Sequence, residues 1–212
     1  MMRSGAWLLL SAVGLGWGCG GPQEDVSQDE PPADSEGLIS QTIIRQQPDG
    51  ALTQETVYIT REEQQAQMEA REEYLRQLQS GTPRQLMANL IIDSGCAGSS
   101  LWLFDQVGFT GRQLCLYKNP SETYAFIDLG TVIRYIAPTY PIQRIYFWTG
   151  AVKSLWSGVD AGNLATCDNT RMACYSNGPY VPFSAYQKVD NVPSGTVIGG
   201  TMLGPNTVFL EN

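Results

Sequence analysis

The stretch Leu101–Tyr117, LWLFDQVGFTGRQLCLY, constrains this chain more than any other. Two apolar runs, LWLF and QLCLY, flank a compact segment in which Val107, Gly108, Thr110 and Gly111 surround Phe109. Aromatic and β-branched density with glycine punctuation predicts a β-hairpin. Gly111 accepts a positive φ without a Cβ penalty, so it folds the turn back while Phe109 packs beneath it. Beyond Tyr117 the chain continues as short runs of the same kind: 124–129, 144–148, 152–156, 163–167, 172–175, 196–198 and 207–210, separated by Gly, Pro, Asn and Asp. That pattern predicts a mainly β sandwich or barrel. Trp102, Trp148, Trp156, Phe104, Phe109 and Phe126 are its expected core aromatics.

The spacing of Phe104, Phe109 and Gly111 resembles the aromatic–spacer–aromatic–x–glycine signature of the βγ-crystallin Greek-key family. The resemblance implies that a later serine, Ser154 in AVKSLWSG, pins the folded hairpin. It covers residues 96–156 best and implies a Greek-key sandwich. The family pairs two keys, and residues 162–212 have the length for a second without a clean signature. Microbial members bind calcium through an N/D-N/D-x-x-S-S loop. The matching stretch here, 149–154 (TGAVKS), lacks both acidic or amide positions and carries Lys153, so no calcium site of the family type is expected. Asp105, Asp128 and Asp160 are left as scattered carboxylates.

Charge and cysteine usage divide the chain. Residues 1–90 hold 13 acidic and 6 basic side chains, whereas 91–212 hold 8 and 7. Neither half carries a basic stripe, which argues against nucleic acid as a partner. There is no histidine, so Ser-His and Cys-His catalysis and His-ligated metal sites are excluded. No cofactor is expected. Four of the five cysteines, Cys96, Cys115, Cys167 and Cys174, fall in the β-rich half. In an exported chain they read as two disulfides with three connectivities, of which Cys96–Cys115 and Cys167–Cys174 are favoured as hairpin braces.

The export reading comes from the start of the chain. Arg3 precedes an apolar segment, Ala6–Leu15, that is too short to span a bilayer. GWGCGG follows, similar to a bacterial lipoprotein signal, which implies that Cys19 is the acylated residue. Leu15 lies one residue farther from the cysteine than that pattern has it, and Trp17 occupies a usually small position. Residues 1–19 are thus assigned as signal and lipobox. Residues 20–50 are assigned as a disordered acidic tether, on the Pro-rich, aromatic-free composition of 20–37. Residues 51–92 are a strand plus a helical segment. Thr53–Thr60 is β-prone, and Thr60 with Glu63 makes a T-x-x-E capping box for a helix from Arg61 to Gln79. The helix has a thin apolar stripe of Met68, Tyr74, Leu75 and Leu78, which predicts docking along one side of a domain or partner and not burial in a core. Thr82-Pro83 opens a second short helix. Residues 93–212 are the β domain.

These features point to a non-enzymatic lipoprotein of the cell envelope, at a bacterial outer membrane or cell surface. Its partners are the membrane, through Cys19, and an envelope protein or a peptidase. Two other classes compete. Some small secreted peptidase inhibitors share the crystallin fold, with 137–141 and 167–174 as candidate inhibitory loops. Leu90–Leu103, LIIDSGCAGSSLWL, is similar to the D-[ST]-G segment of aspartic peptidases and nominates Asp93. The nearest second copy, Val159-Asp160-Ala161-Gly162, departs from that motif.

Overall fold

A computed structural model describes residues 37–79, 96–137, 142–168, 173–198 and 201–211. The fold is mainly β, with one helix among these residues. In chain order the elements are β1 (Ile39–Gln46), β2 (Leu52–Ile59), α1 (Arg61–Gln79), β3 (Leu101–Phe104), β4 (Gln113–Tyr117), β5 (Tyr124–Asp128), β6 (Ile133–Ala137), β7 (Arg144–Phe147) and β8 (Ser154–Trp156). They continue as β9 (Ala161–Ala165), β10 (Cys167–Asp168), β11 (Ala173–Cys174), β12 (Tyr180–Phe183), β13 (Lys188–Val189), β14 (Thr196–Ile198), β15 (Thr201–Leu203) and β16 (Thr207–Glu211).

Two larger sheets face each other. One has the order β13-β8-β3-β4-β1-β2, the other β12-β9-β16-β5. Leu101, Leu103, Leu114, Leu116 and Leu155 of the first sheet pack with Ala125, Ile127, Leu164, Phe183, Val208 and Leu210 of the second in one buried cluster. The alternation along each strand sends the intervening residues to the opposite face. On the first sheet these are Ile43, Trp102, Phe104, Cys115 and Trp156, which form a second cluster with Cys96. Met68 and Leu75 of α1 pack on it, so the helix roofs the outer face.

The strand order hides a repeat. The chain runs β3, β4, β5, β8 and then β9, β12, β13, β16. In each set the third strand sits in the other set's sheet, so β4-β3-β8-β13 corresponds to β12-β9-β16-β5. Each set inserts a two-stranded hairpin between its third and fourth strands: β6 with β7, and β14 with β15. The match extends to single residues. Ser154 opens β8 opposite Phe104, the last residue of β3. Thr207 opens β16 opposite Ala165, the last residue of β9. The Lys153 amide donates to the Phe104 carbonyl at 2.8 Å, as the Asn206 amide does to Ala165 at 2.9 Å. Residues 162–212, which lack a clean signature, thus hold a second four-strand set with β9.

Two boundaries shift. Residues 39–46, assigned from sequence to the tether, form β1, which pairs antiparallel with β2 and parallel with β4. The strand is buried on both faces: Ile44 joins the inter-sheet core and Ile43 the outer cluster. Acidic composition ends before this segment, and burial of ISQTIIRQ supplies what a tether lacks. The β domain therefore draws on residues well before 93. The helix runs over Arg61–Gln79 as expected. Its capping box is formed, with the Thr60 amide donating to Glu63 Oε2 at 2.7 Å and the Glu63 amide to Thr60 Oγ1 at 3.1 Å. Cys19, Asp93 and the second short helix lie outside the described residues, as do most of 137–141 and the tip of 167–174.

Candidate functional site

The β3–β4 hairpin and the surfaces that hold it form the most elaborated region of the molecule. Gly108 and Gly111 take φ of +69° and +80°, and between them Phe109 takes +62°. Phe109 is the unexpected member, because a bulky residue in the left-handed region is strained unless its surroundings enforce it. They do. The Phe109 amide donates to Ser154 Oγ at 3.0 Å, and the Ser154 hydroxyl donates to the Gln106 carbonyl at 2.7 Å. The Phe109 ring stands edge-on to Phe104 at 5.9 Å and tilted over Trp156 at 6.3 Å. Phe104, Phe109, Gly111 and Ser154 thus belong to one unit.

Gly111 is needed for a second reason. A Cβ there would collide with Asp105 Oδ1 and stand 2.8 Å from Gln106 Cγ. Asp105 is buried against the turn. Its Oδ1 accepts the Arg112 amide at 2.8 Å, and its Oδ2 lies 3.5 Å from Arg112 and 3.4 Å from Arg134. Burial raises its carboxyl above the ordinary range, against the pull of both guanidinium groups and the backbone amide. The two arginines lie over the Tyr135 ring at 4.4 and 5.1 Å, and Tyr135 stacks on Tyr146 at 4.3 Å. The turn is thereby tied to the base of the β6–β7 hairpin.

On the outer face, α1 buries polar side chains beside its thin apolar stripe. Gln64, Arg71 and Tyr74 are its buried residues, while Met68 and Leu75 are half-buried. Gln64 Nε2 donates to the Gly111 carbonyl at 3.0 Å and to Gln113 at 3.3 Å. Arg71 enters between two tryptophans, 4.3 Å from the Trp102 ring and 4.7 Å from Trp156. One terminal nitrogen donates to the carbonyls of Ser100 at 2.9 Å and Ser157 at 2.6 Å. Burial pulls its pKa down to about 9, which leaves it charged at neutral pH. Lys188 adds a second cation, 4.1 Å from Trp156 and paired with Glu72 of α1. Cation–π attraction and two carbonyls hold the guanidinium. Sequence reasoning missed Arg71 because an arginine at that position reads as solvated surface.

The four cysteines of the β half pair as Cys96–Cys115 and Cys167–Cys174. The first bridge ties the entry of β3 to the centre of β4, with Cα atoms 5.5 Å apart. The second closes the β10–β11 hairpin between directly opposed residues.

Asp105, Asp128 and Asp160 lie apart in separate roles. Asp128 Oδ1 accepts the Gly130 amide at 2.7 Å in its own turn. Asp160 lies 3.3 Å from Lys118, whose side chain is buried and also donates to the Glu122 carbonyl at 2.9 Å. Burial raises the Asp160 carboxyl, and Lys118 opposes that rise. Among the described residues, no group of three or more His, Cys, Asp or Glu side chains gathers as a metal-ligand set. The chain matches no family model, no curated protein and no solved structure.

Proposed function

We propose that this chain is a non-enzymatic protein of the cell envelope, exported and lipid-anchored at Cys19. Its folded part is a pair of interlocked Greek keys of the βγ-crystallin type that serves as a binding or structural module. One observation carries the fold reading: Ser154 bridges Gln106 and Phe109 across a folded hairpin, within two four-strand sets that exchange their third strands. The two disulfides support an oxidising compartment and hence export. The absence of histidine and the structural engagement of the described buried carboxylates support binding over catalysis.

Labelling with a palmitate analogue tests the anchor in cells that express the chain. Incorporation that disappears in Cys19→Ser is the expected result, and incorporation that persists in that variant overturns the anchor. Non-reducing peptide mapping of the same material should return both bridges and no free thiol among the four paired cysteines.

A second reading, peptidase inhibition, is favoured by the exposed strand β11, which a disulfide ties to the buried Cys167 of β10. A braced loop costs less entropy to dock in a cleft. Inhibition of a metallopeptidase panel at nanomolar concentration would select it. Pepstatin-sensitive cleavage of a denatured substrate, lost in Asp93→Asn, would overturn both readings in favour of an aspartic peptidase.

A further inference from the structure

Asp105, Asp128 and Asp160 differ in what faces them. Asp105 accepts the Arg112 amide and meets two guanidinium groups. Asp128 accepts the Gly130 amide. Among the described residues, Asp160 is held by Lys118, with Nζ 3.3 Å from Oδ1 and no backbone amide on its carboxyl. The Lys118 side chain is 1% exposed and that of Asp160 13%. An amine is a nucleophile once it loses its proton, whereas a guanidinium keeps its charge in proteins. Of the three carboxyls, Asp160 is thus the one that faces a group able to attack it.

Lysine and aspartate do not condense in water. The ammonium has no lone pair to attack with, and the carboxylate is a poor electrophile. Burial changes both partners. Holding two charges away from water is costly, and moving one proton from nitrogen to oxygen leaves a neutral amine beside a neutral acid. No amide donor stabilises the ionised form of Asp160, and burial raises its carboxyl above the ordinary range. Lys118 Nζ donates to the Glu122 carbonyl at 2.9 Å, which orients the nitrogen. Contact held by the fold then takes the place of a collision.

We propose that Lys118 Nζ and Asp160 Cγ become joined by an amide bond, a spontaneous cross-link between the two larger sheets. The neutral nitrogen adds to Cγ, a proton passes from nitrogen to the departing hydroxyl, and the Cγ–O bond breaks to release water. One positive and one negative charge are lost together, and no oxidant, reductant or cofactor takes part. The remaining N–H keeps the Glu122 carbonyl as its acceptor. Lys118 directly follows β4 of the first sheet, and Asp160 directly precedes β9 of the second. Neither disulfide joins those sheets: Cys96–Cys115 ties β4 to the entry of its neighbour β3, and Cys167–Cys174 closes the β10–β11 hairpin. The amide supplies that missing tie.

The test uses the full chain carrying Cys19→Ser, recovered folded, then reduced, alkylated and digested with trypsin, which does not cut after an acylated lysine. The expected product is one branched peptide, 113–134 uncut after Lys118 and joined to 154–171, lighter than the two together by one water. Its fragmentation places the bond at the two side chains, whether or not any variant folds. Lys118→Arg keeps a cation beside Asp160 but cannot form the bond. That variant should return linear peptides of full mass, and its reduced chain should migrate more slowly than the cross-linked one in denaturing electrophoresis. Linear peptides of full mass from the chain with Lys118 intact overturn the proposal and leave a plain ion pair. Loss of water that persists in Lys118→Arg also overturns it, and assigns the loss to ring closure of Asp160 on its own backbone.

Discussion

The backbone amide of Phe109 and the hydroxyl of Ser154 meet at 3.0 Å across 45 residues of chain. This contact holds a phenylalanine at a φ of +62°. It converts a local turn into a tertiary lock, because the same hydroxyl donates to Gln106 on the other limb of the turn.

Ser154→Ala removes that lock without adding bulk. The Phe109 amide and the Gln106 carbonyl both lose their partner, at a site where Ser154 is fully buried. The expected cost is on the order of 1 kcal/mol or more. A urea denaturation midpoint reads it. An unchanged midpoint would mean that the turn holds its strained conformation unaided.

The two turn glycines separate backbone strain from crowding. Gly108→Ala meets no atom within 4 Å and so carries only the penalty of a positive φ, about 1 kcal/mol. Gly111→Ala carries that penalty and also forces Asp105 and Gln106 aside. It should lower the midpoint by clearly more than Gly108→Ala, with a total of at least about 2 kcal/mol. Equal effects would show that Asp105 swings away freely.

The hairpin and the helix start were legible because their signals are local. Glycine spacing around Phe109 and a Thr60–Glu63 capping box need no tertiary context. The Cys96–Cys115 and Cys167–Cys174 pairs were legible as hairpin braces. β1 was not, although Pro48-Asp49-Gly50 lies between ISQTIIRQ and LTQETVYI and is itself a turn signal. The acidic run preceding it masked the change of composition. The second strand set was hidden because Thr207 and Asn206 take the places of Ser154 and Lys153 without an aromatic signature. The arginine sites at 71, 112 and 134 were invisible for a different reason. Each lies over an aromatic ring, and no periodicity announces a guanidinium that packs there.

Arg71 tests what fastens the helix. Arg71→Ala leaves a void between Trp102 and Trp156 and strips the Ser100 and Ser157 carbonyls of their shared donor. The expected cost is about 2–4 kcal/mol, with earlier proteolysis within α1 than in the sheets. Arg71→Met refills the slot without a charge and should recover part of that loss, since burying an unpaired cation is itself costly. Limited proteolysis of both variants separates the outcomes. If the methionine is as damaging as the alanine, the carbonyl bonds matter more than packing.

Asp105 sets two effects against each other. Burial favours its neutral form, while Arg112 and Arg134, the charged groups that face it, favour the ionised one. Its folded pKa is raised, so burial wins. The native state then holds this proton more tightly than the unfolded chain does. The stabilisation from this group is fully present below its unfolded pKa of about 3.9 and is lost as pH rises through the folded value. Asp105→Asn keeps an oxygen for the Arg112 amide but cannot ionise. The stability of the native sequence minus that of Asp105→Asn should therefore fall as pH rises from about 3.9. Subtraction cancels the parallel contribution of Asp160, which is unchanged in the variant. Urea midpoints at a series of acidic pH values give the slope. A difference that grows with pH would mean that the arginine pair outweighs burial and that the aspartate titrates below its ordinary range.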